Sequence, residues 1–308
     1  MSKISYDFVV PCGRPETERA RKMFKCLSVI TKNTKSKIII VGNFDSSIKN
    51  HYPENFVWIN TPTLLWPAAN RNKGAKISDK QIIIFIDDDC YIEEGVMEEV
   101  KRIFSCNDGL ALLGGRITSN NPNYVSRSLD YTCFTYQQKN KSHWNRDLIA
   151  SAFMCVNRKL FDKLGGFDES LRVREDIDFV RRVLSSGHKT LYTPDIVIRH
   201  DHGRDTWREY YKHMHFSGGH PYSDENKEFI VEYSKYVHLR SIIKRSIFKF
   251  HILLFPMFII FNLMKIYREN IRSIFSVTYH IFGIIFGLLA YEISRIKLSL
   301  ERYKNENI

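Results

Sequence analysis

The stretch QIIIFIDDD, residues 81–89, decides the fold class of this chain. It begins with the strongest strand signal in the sequence, because a continuous apolar and β-branched run is typical of a strand covered on both faces. The run ends in the carboxylates Asp87, Asp88 and Asp89. Ligands of open α/β sheets bind beyond the carboxyl ends of the strands, so we expect a site at this position.

Strand and helix signals alternate around this run. Tyr6–Pro11, Lys37–Gly42 and Val57–Asn60 are predicted to be strands, and the apolar spacing of Thr17–Thr31 predicts a helix. This alternation predicts an α/β fold, with a Rossmann-like mixed sheet flanked by helices.

The second half of the chain carries weaker signals. The polar segment Thr118–Arg146 is predicted to be a long loop or insertion. Lys189–Tyr192 and Ile196–Arg199 are predicted to be two short strands, and Asp205–Phe216 is predicted to be a helix. We expect these elements to complete one α/β domain over residues 1–222.

The last part of the chain is both basic and apolar. We expect residues 223–308 to form amphipathic and hydrophobic helices. Residues 236–308 hold 11 Lys plus Arg against 4 Asp plus Glu, which is +7 of the net charge of +12. Ile247–Met264 and Ile274–Tyr291 are apolar runs of 18 residues each, near the lower limit for crossing a bilayer. This combination favours an anionic membrane surface as a partner.

Three placements of the two apolar runs stay open. Interfacial helices keep every basic cluster beside an anionic leaflet, and we favour them. A spanning hairpin would carry the basic loop Lys265–Ser273 across the membrane, against the positive-inside rule. A buried soluble hairpin is the third placement, although residues 1–222 show no obvious groove for it. Nucleic acid is not expected as a partner, because zinc-finger, basic-zipper and RNA-binding patterns are absent from the sequence.

The cysteines indicate the compartment. All six lie between Cys12 and Cys155, and no pair has C-x-x-C spacing. They are predicted to be reduced thiols of a cytosolic protein. The polar start, Met1–Tyr6, has no signal-peptide apolar region. We therefore expect the protein at the cytoplasmic face of the cell membrane.

The triple aspartate indicates a divalent cation. Three adjacent carboxylates repel one another unless a cation lies among them, and an all-oxygen set suits Mg²⁺ or Mn²⁺. An EF-hand is disfavoured, because Tyr91 and Ile92 stand where such a loop needs a ligand and a glycine. An acidic turn that caps the next helix is the alternative interpretation of Asp87–Asp89.

A second group of charged residues follows Gly165–Asp168. Glu175, Asp176 and Asp178 open a predicted helix, and Arg181–Arg182 lie one turn later. Carboxylates are favourable at a helix N-terminus, and carboxylates beside arginines also form structural ion pairs. These residues alone therefore leave catalysis and structure open.

Together, four blocks resemble a family 2 glycosyltransferase with the GT-A fold. They occur in the expected order over roughly residues 6–205. The blocks are Phe8–Pro11 with Arg14–Glu16, Asn70–Gly74, Phe85–Asp89, and Gly165–Glu169 with Glu175–Asp176 and His200. The resemblance implies an inverting, hexosyltransferase-like enzyme that uses Mn²⁺ or Mg²⁺ to move a sugar from a nucleoside diphosphate to a hydroxyl.

The resemblance also implies roles for individual residues. Asp176 is the expected general base, supported by Glu175, and Asp89 is expected to hold the metal with His200 nearby. Residues 42–46 depart from the family, because only Asp45 stands near the place of the usual acidic pair that reads the base. The expected nucleotide-sugar-binding residues are Pro11, Arg14, Asp45, Arg71, Asp87 and Asp88.

Aromatic residues supply candidates for the acceptor site. Trp207, Tyr210 and Trp144 could stack on a sugar, and ordinary helix packing is the alternative for the first two. The expected donor is a UDP-sugar, and the expected acceptor is a glycan or lipid-linked glycan in surface polysaccharide assembly.

Two other function classes stay open. A nucleotidyltransferase that makes sugar nucleotides is disfavoured, because residues 7–16 hold a single glycine and so lack a phosphate loop. A non-catalytic membrane-anchored binding protein is disfavoured by the intact carboxylates Asp87, Asp89 and Asp176.

Overall fold

The computed structural model describes residues 4–61, 65–121, 123–218, 260, 263–264, 266–267 and 274–306. The chain divides into two compact units. An α/β unit contains Met1–Pro122 with Phe134–Gly203, and a helical unit contains Asn123–Cys133 with Arg204–Ile308. The domain boundary predicted after residue 222 lies outside the described residues.

One mixed sheet forms the centre of the α/β unit. Its strands run in the order β3-β2-β1-β4-β8-β6-β9-β5, and β7 pairs with β9. Strands β1 to β4 are parallel, whereas β8 runs antiparallel between β4 and β6. This arrangement confirms the predicted mixed α/β sheet. The strands are β1 Tyr6–Pro11, β2 Ile38–Gly42, β3 Phe56–Asn60, β4 Ile82–Ile86, β5 Cys90–Ile92, β6 Leu110–Ser119, β7 His143–Trp144, β8 Phe153–Asn157 and β9 Lys189–His200.

Burial on both faces explains the continuous apolar runs. Every residue of β2 and of β4 is buried. In β4, Ile82, Ile84 and Ile86 belong to one hydrophobic core, and Ile83 and Phe85 belong to the core on the other face. No position of such a strand meets water, so the alternation of a half-exposed strand disappears.

Helices cover both faces of the sheet. Helices α1 (Glu18–Thr31) and α3 (Val96–Cys106) contribute to one core, and α2 (Pro67–Ala75), α5 (Arg158–Lys163) and α6 (Glu175–Ser185) contribute to the other. The N-termini of α1 and α2 follow local signals. Thr17 caps α1 by accepting a hydrogen bond from the backbone N–H of Ala20, and Pro67 opens α2.

The segment Thr118–Arg146 corrects one prediction. It is not the predicted loop, because it contains helix α4 (Tyr124–Cys133) of the helical unit and a short 3₁₀ helix (Thr135–Gln137) and strand β7 of the α/β unit. Val125 and Leu129 of α4 are buried one turn apart. The buried polar residues Ser126, Ser128 and Asp130 hid this stripe. Ser126 donates a hydrogen bond to Asp205, and Ser128 donates one to the carbonyl of Tyr124.

The other described helices of this unit include α7 (Trp207–Gly218), α8 (Ile274–Tyr279) and α9 (Ile281–Glu306). Gly283 and Gly287 let α9 approach its neighbours closely. A Cβ atom at Gly283 would overlap the hydroxyl of Ser128 in α4, and one at Gly287 would overlap the hydroxyl of Tyr210 in α7. Part of the second apolar run is therefore packed against α4 and α7, which form the groove that the sequence did not reveal.

The structure joins the two short strands predicted over residues 189–199 into the single strand β9. The register against β6 shifts between Gly115 and Arg116, whose partners are Thr193 and Val197. The extra residues around Pro194 form a bulge, which lets the strand continue past a residue that cannot donate to the ladder.

The predicted membrane segments are described only in part. Most of the run 247–264 lies outside the described residues, and the run 274–291 forms α8 and the start of α9. Within the described part of the chain, no helix combines the length and the apolar character needed to cross a membrane.

Candidate active site and metal centre

The predicted motifs meet at the carboxyl edge of the parallel strands. Asp87, Asp88 and Asp89 follow β4 directly, and Cys12 and Gly42 lie at the ends of β1 and β2. Gly42 is required there, because a Cβ atom would overlap the carbonyl of Cys12. This close approach keeps the first two strand ends together beside the aspartates.

A buried arginine joins two of the motifs. Arg71 in α2 donates through Nη2 to Oδ1 of Asp87 at 2.6 Å and through Nη1 to Oε1 of Glu175 at 2.7 Å. Its side chain is only 3% exposed. The guanidinium is therefore the link between the aspartates after β4 and the carboxylates of α6. A contact of Arg71 with a nucleotide stays a prediction.

The neighbouring Asn72 holds the glycine motif. Its Oδ1 accepts a hydrogen bond from the backbone N–H of Phe167 at 2.9 Å, and its Nδ2 donates to the carbonyl of Phe167 at 2.8 Å and to Glu169 at 2.9 Å. Gly166 has a φ of 74°, and a Cβ atom there would lie 2.6 Å from Oδ1 of Asn72. Only glycine fits this turn, so the Asn70–Gly74 and Gly165–Glu169 blocks depend on each other.

The two predicted catalytic carboxylates open helix α6. Asp176 accepts hydrogen bonds from the backbone N–H of Ser151 at 3.1 Å and of Ile177 at 2.8 Å. Asp178 pairs with Arg182 at 2.8 Å, one turn further along the helix. Asp178 therefore forms the structural ion pair that the sequence left open, with Arg182. Glu175 pairs instead with Arg71.

Burial changes the acidity of this pair. Burial, together with the adjacent charge of Asp176, raises the pKa of Glu175 to about 7. Burial also raises the pKa of Asp176, against the effect of its backbone hydrogen bonds. Carboxyl groups with raised pKa values are better proton acceptors near neutral pH than ordinary carboxylates. The pair can accept a proton from a bound hydroxyl.

A second cluster lies around Asp89 and His200. Strand β5 pairs antiparallel with β9, which places Cys90 opposite His200, and Asp201 donates its backbone N–H to the carbonyl of Asp89 at 2.8 Å. Oδ1 of Asp89 lies 3.2 Å from Nε2 of His200. The guanidinium of Arg19 lies 3.6 Å from Oδ2 of Asp89. His200 is buried.

The donor set of this cluster fits a hard divalent cation. Two adjacent ligands of an octahedral ion with bonds of about 2.1 Å lie roughly 3 Å apart, close to the separation of Asp89 and His200. Cys90 is the third potential ligand within 4.8 Å. Burial raises the pKa of its thiol well above the usual range. The oxygen and nitrogen ligands of Asp89 and His200 suit Mn²⁺ or Mg²⁺.

The other predicted donor-binding residues lie on the same edge with varied exposure. Asp88 is half-buried, and its burial raises its pKa to about 6. Pro11 ends β1, and Arg14 is exposed in the following turn. Asp45 is exposed and caps a 3₁₀ helix by accepting a hydrogen bond from the backbone N–H of Ser47 at 2.8 Å.

The candidate acceptor residues are divided between the units. Trp144 is exposed on β7 of the α/β unit, and Trp207 is exposed on α7 of the helical unit. Tyr210 is completely buried, and its hydroxyl lies 3.1 Å from that of Thr132. The ring of Tyr210 therefore belongs to the packing of the helical unit and presents no face to a sugar.

Two residues near the metal centre escaped the sequence analysis. Arg19 carried no signal beyond its place in a predicted helix. His202 is buried, and its Nδ1 lies 2.8 Å from Nδ1 of His200. Its spacing of two residues at the end of a predicted strand would have placed both histidines on one side.

Comparison with known families identifies the family of this chain. A family model described as "Glycosyltransferase like family 2" matches residues 27–215, more than half of the chain. The chain therefore belongs to glycosyltransferase family 2. The match includes both carboxylate motifs and His200, whereas Pro11, Arg14 and Arg19 precede the matched residues.

Curated relatives of this family 2 glycosyltransferase are distant. The O-antigen chain rhamnosyltransferase WbaN of Salmonella anatum is 23% identical over 68% of this chain and 70% of its own length. The pre-mycofactocin glycosyltransferase of Mycobacterium tuberculosis is 28% identical over 50% of this chain, which spans a third of that relative. Glycosyltransferase AglE of Haloferax volcanii is 23% identical over 60% of this chain and 64% of its own length.

Solved structures show the same fold at low identity. The mannosyltransferase PcManGT of Pyrobaculum calidifontis, in complex with GDP-Man and Mn²⁺, aligns with a TM-score of 0.55 and 10% identity over 94% of this chain and 86% of that chain. GalNAc-T7 with UDP, GalNAc and Mn²⁺ aligns with a TM-score of 0.52 and 14% identity over 75% of this chain and 54% of that chain. The sheet and flanking helices are thus those of the GT-A fold.

Proposed function

We propose that the chain is an inverting, metal-dependent glycosyltransferase that moves a sugar from a nucleoside diphosphate to an acceptor hydroxyl. One observation supports this most. Arg71 pairs with both Asp87 and Glu175, so an aspartate expected to bind the donor lies near Glu175, the neighbour of the proposed base Asp176. Beside them, Asp89 and His200 offer ligands for Mn²⁺ or Mg²⁺.

The residues of the site have separate tasks in this reaction. Asp87 and Asp88 bind the nucleoside side of the donor, and Asp89 with His200 would hold the cation. When bound there, a divalent cation would supply positive charge beside the leaving diphosphate. Asp176 removes the proton of the acceptor hydroxyl as that oxygen attacks the anomeric carbon from the opposite face. The bond to the diphosphate breaks in the same displacement, which inverts the anomeric carbon.

The names of the relatives suggest a class of acceptor substrate. WbaN and RfbN are both O-antigen chain rhamnosyltransferases by name, which supports a glycan or lipid-linked acceptor in surface polysaccharide assembly. UDP is the proposed nucleoside diphosphate. The solved neighbours hold UDP in one case and GDP-Man in the other, so the base is to be decided by testing UDP-, GDP- and dTDP-linked sugars in parallel.

One measurement separates this proposal from its rivals. The full-length protein is incubated with each nucleotide sugar, and the released nucleotide is identified with and without Mn²⁺. A glycosyltransferase releases a nucleoside diphosphate. A nucleotidyltransferase instead needs a nucleoside triphosphate and a sugar phosphate and releases pyrophosphate, and a binding protein releases neither.

The metal ligands give the first mutational prediction. Loss of a metal ligand's hydrogen-bond partner weakens metal binding roughly 10–100-fold. Asp89→Asn should weaken Mn²⁺ binding by more than this, because an amide carries no negative charge. Release of the nucleoside diphosphate should fall in this variant, and also in the wild-type protein after a chelator removes the metal. Isothermal titration with Mn²⁺ measures the binding. Asp108→Asn, at an exposed aspartate of the α/β unit, is the control. Wild-type activity that a chelator does not reduce would contradict the metal assignment.

We also propose that the helical unit associates with an anionic membrane surface at the cytoplasmic face. Phe275 and Tyr279 of α8 and Phe282 of α9 are 89%, 70% and 78% exposed. All three are large apolar side chains close together in the chain, and exposed hydrophobic surface marks interaction sites when it is grouped. The surrounding C-terminal segment carries the excess of positive charge, which suits anionic lipid.

The membrane proposal predicts a loss of binding in a double variant. Phe275→Ser with Phe282→Ser should reduce co-sedimentation with vesicles of phosphatidylglycerol and phosphatidylcholine, because the apolar contact is removed. Val29→Ser, at a 69% exposed valine of α1, should sediment like the wild type. Equal sedimentation of wild type and double variant would contradict the proposal.

A further inference from the structure

Two buried histidines form a direct pair behind the metal centre. His200 and His202 are 6% and 3% exposed, and their Nδ1 atoms are 2.8 Å apart. The other ring nitrogen of His200, Nε2, faces Oδ1 of Asp89 at 3.2 Å. The two sides of the His200 ring thus have different neighbours: His202 on one side and the candidate metal ligand Asp89 on the other.

The short distance restricts where hydrogens can lie. Two ring nitrogens 2.8 Å apart form a hydrogen bond only when one carries a hydrogen and the other offers its lone pair. A histidine that ligates a metal through Nε2 must be neutral, with its hydrogen on Nδ1. In that state Nδ1 of His200 donates, and Nδ1 of His202 accepts.

We propose that His202 is a positioning residue for the metal centre, because it accepts the Nδ1–H of His200 and so leaves the Nε2 lone pair facing Asp89. This inference rests on the proposed function in one respect, namely that the cation binds between Asp89 and His200. It adds a residue that takes no part in ligation and contacts neither substrate nor metal.

The packing around the pair supports a fixed geometry. Phe134 lies edge-on to the His200 ring at 5.4 Å and stacks on the His202 ring at 5.8 Å. The backbone is held as well, because the carbonyl of His200 accepts a hydrogen bond from the N–H of Asn120 at 2.8 Å. Phe134 and the backbone hydrogen bond help to hold His200 in place, and a partner on Nδ1 adds a further restraint on rotation of the ring.

Metal-ligating histidines commonly donate their second nitrogen to a carboxylate or a carbonyl. Here a second imidazole takes this place. An imidazole is a weaker acceptor than a carboxylate and adds no negative charge, so it orients the ligand without drawing a second cation into the pocket. The pair therefore serves orientation rather than charge.

The test compares two variants of full-length protein by Mn²⁺ binding alone, measured by electron paramagnetic resonance at fixed pH. His202→Phe keeps an aromatic ring against Phe134 but has no acceptor. His202→Asn carries its amide oxygen as many bonds from the backbone as Nδ1 and can accept the same hydrogen. We expect the Kd for Mn²⁺ to rise about 10–100-fold in His202→Phe and to return close to the wild-type value in His202→Asn.

The outcomes distinguish this inference from the proposed function. Wild-type protein that does not bind Mn²⁺ overturns the metal centre itself. Wild-type binding with an unchanged Kd in His202→Phe overturns only the role of His202. Equal weakening in both variants indicates packing rather than hydrogen bonding and also overturns it. Thermal unfolding without Mn²⁺ verifies that each variant folds.

A measurement on the wild type keeps the inference falsifiable if His202→Phe fails to fold. Nitrogen-15 spectra of histidine rings distinguish the two neutral tautomers. With diamagnetic Mg²⁺ bound, His200 should carry its hydrogen on Nδ1, and Nδ1 of His202 should be without one. The opposite assignment overturns the proposal.

Discussion

Asp176→Asn is expected to lower kcat by about 10²–10⁴ while leaving donor affinity almost unchanged. Asparagine keeps the shape of aspartate but can accept only one of its two backbone hydrogen bonds, because the N–H groups of Ser151 and Ile177 donate to different carboxylate oxygens. It cannot take a proton from the acceptor hydroxyl. The loss should therefore appear at saturating donor, in nucleoside diphosphate release measured with the acceptor present.

Asp178→Asn is the matched control for this prediction. Asp178 lies on the same helix but pairs with Arg182 away from the site, so kcat should stay near the wild-type value. Nucleotide binding, measured by isothermal titration, should be the same in all three proteins. If Asp176→Asn loses donor affinity and keeps its rate at saturating donor, Asp176 binds substrate and the proposed mechanism is wrong.

The parallel half of the sheet and helix α7 were predictable from the sequence, and helix α4 was not. Strands β2 and β4 are buried on both faces, so their apolar runs have no polar interruption. Helix α4 buries two serines and an aspartate, and the serines form hydrogen bonds with Asp205 and with the carbonyl of Tyr124. Hydrophobic periodicity cannot identify a helix face of that composition, and the packing surface for α9 was missed for the same reason.

The candidate site was predictable as a set of motifs but not as a network. The aspartates after β4 and the carboxylates of α6 stand at element ends, where sequence patterns are informative. The link between them depends on Arg71, which is 104 residues from Glu175 in the chain. The pairing of His200 with His202 depends on ring orientation. Neither contact follows from local sequence, because both are set by tertiary packing.

The expected effect of Arg71→Met is a loss of about 3–5 kcal/mol in the free energy of unfolding at pH 8, because it leaves a buried carboxylate without its partner. Glu175 is only 7% exposed and accounts for most of this loss. Asp87 is about a third exposed and can recruit water. Arg102→Met, at an arginine paired with Glu99 on the surface of α3, is the control and should cost at most about 1 kcal/mol.

The pH dependence of this loss has a defined sign. In the wild type, burial raises the pKa of Glu175 to about 7, and Arg71 works against that rise. The folded protein therefore binds more protons than the unfolded chain. The contribution of Glu175 to the free energy of unfolding is full at low pH and is lost as the pH rises through about 7. Without Arg71 the pKa of Glu175 rises further, and the loss of stability extends to higher pH.

Urea unfolding in the presence of a chelator should show a larger difference in the free energy of unfolding between wild type and Arg71→Met at pH 8 than at pH 5. A difference that is equal at both values would mean that Glu175 is not left buried and charged when Arg71 is removed.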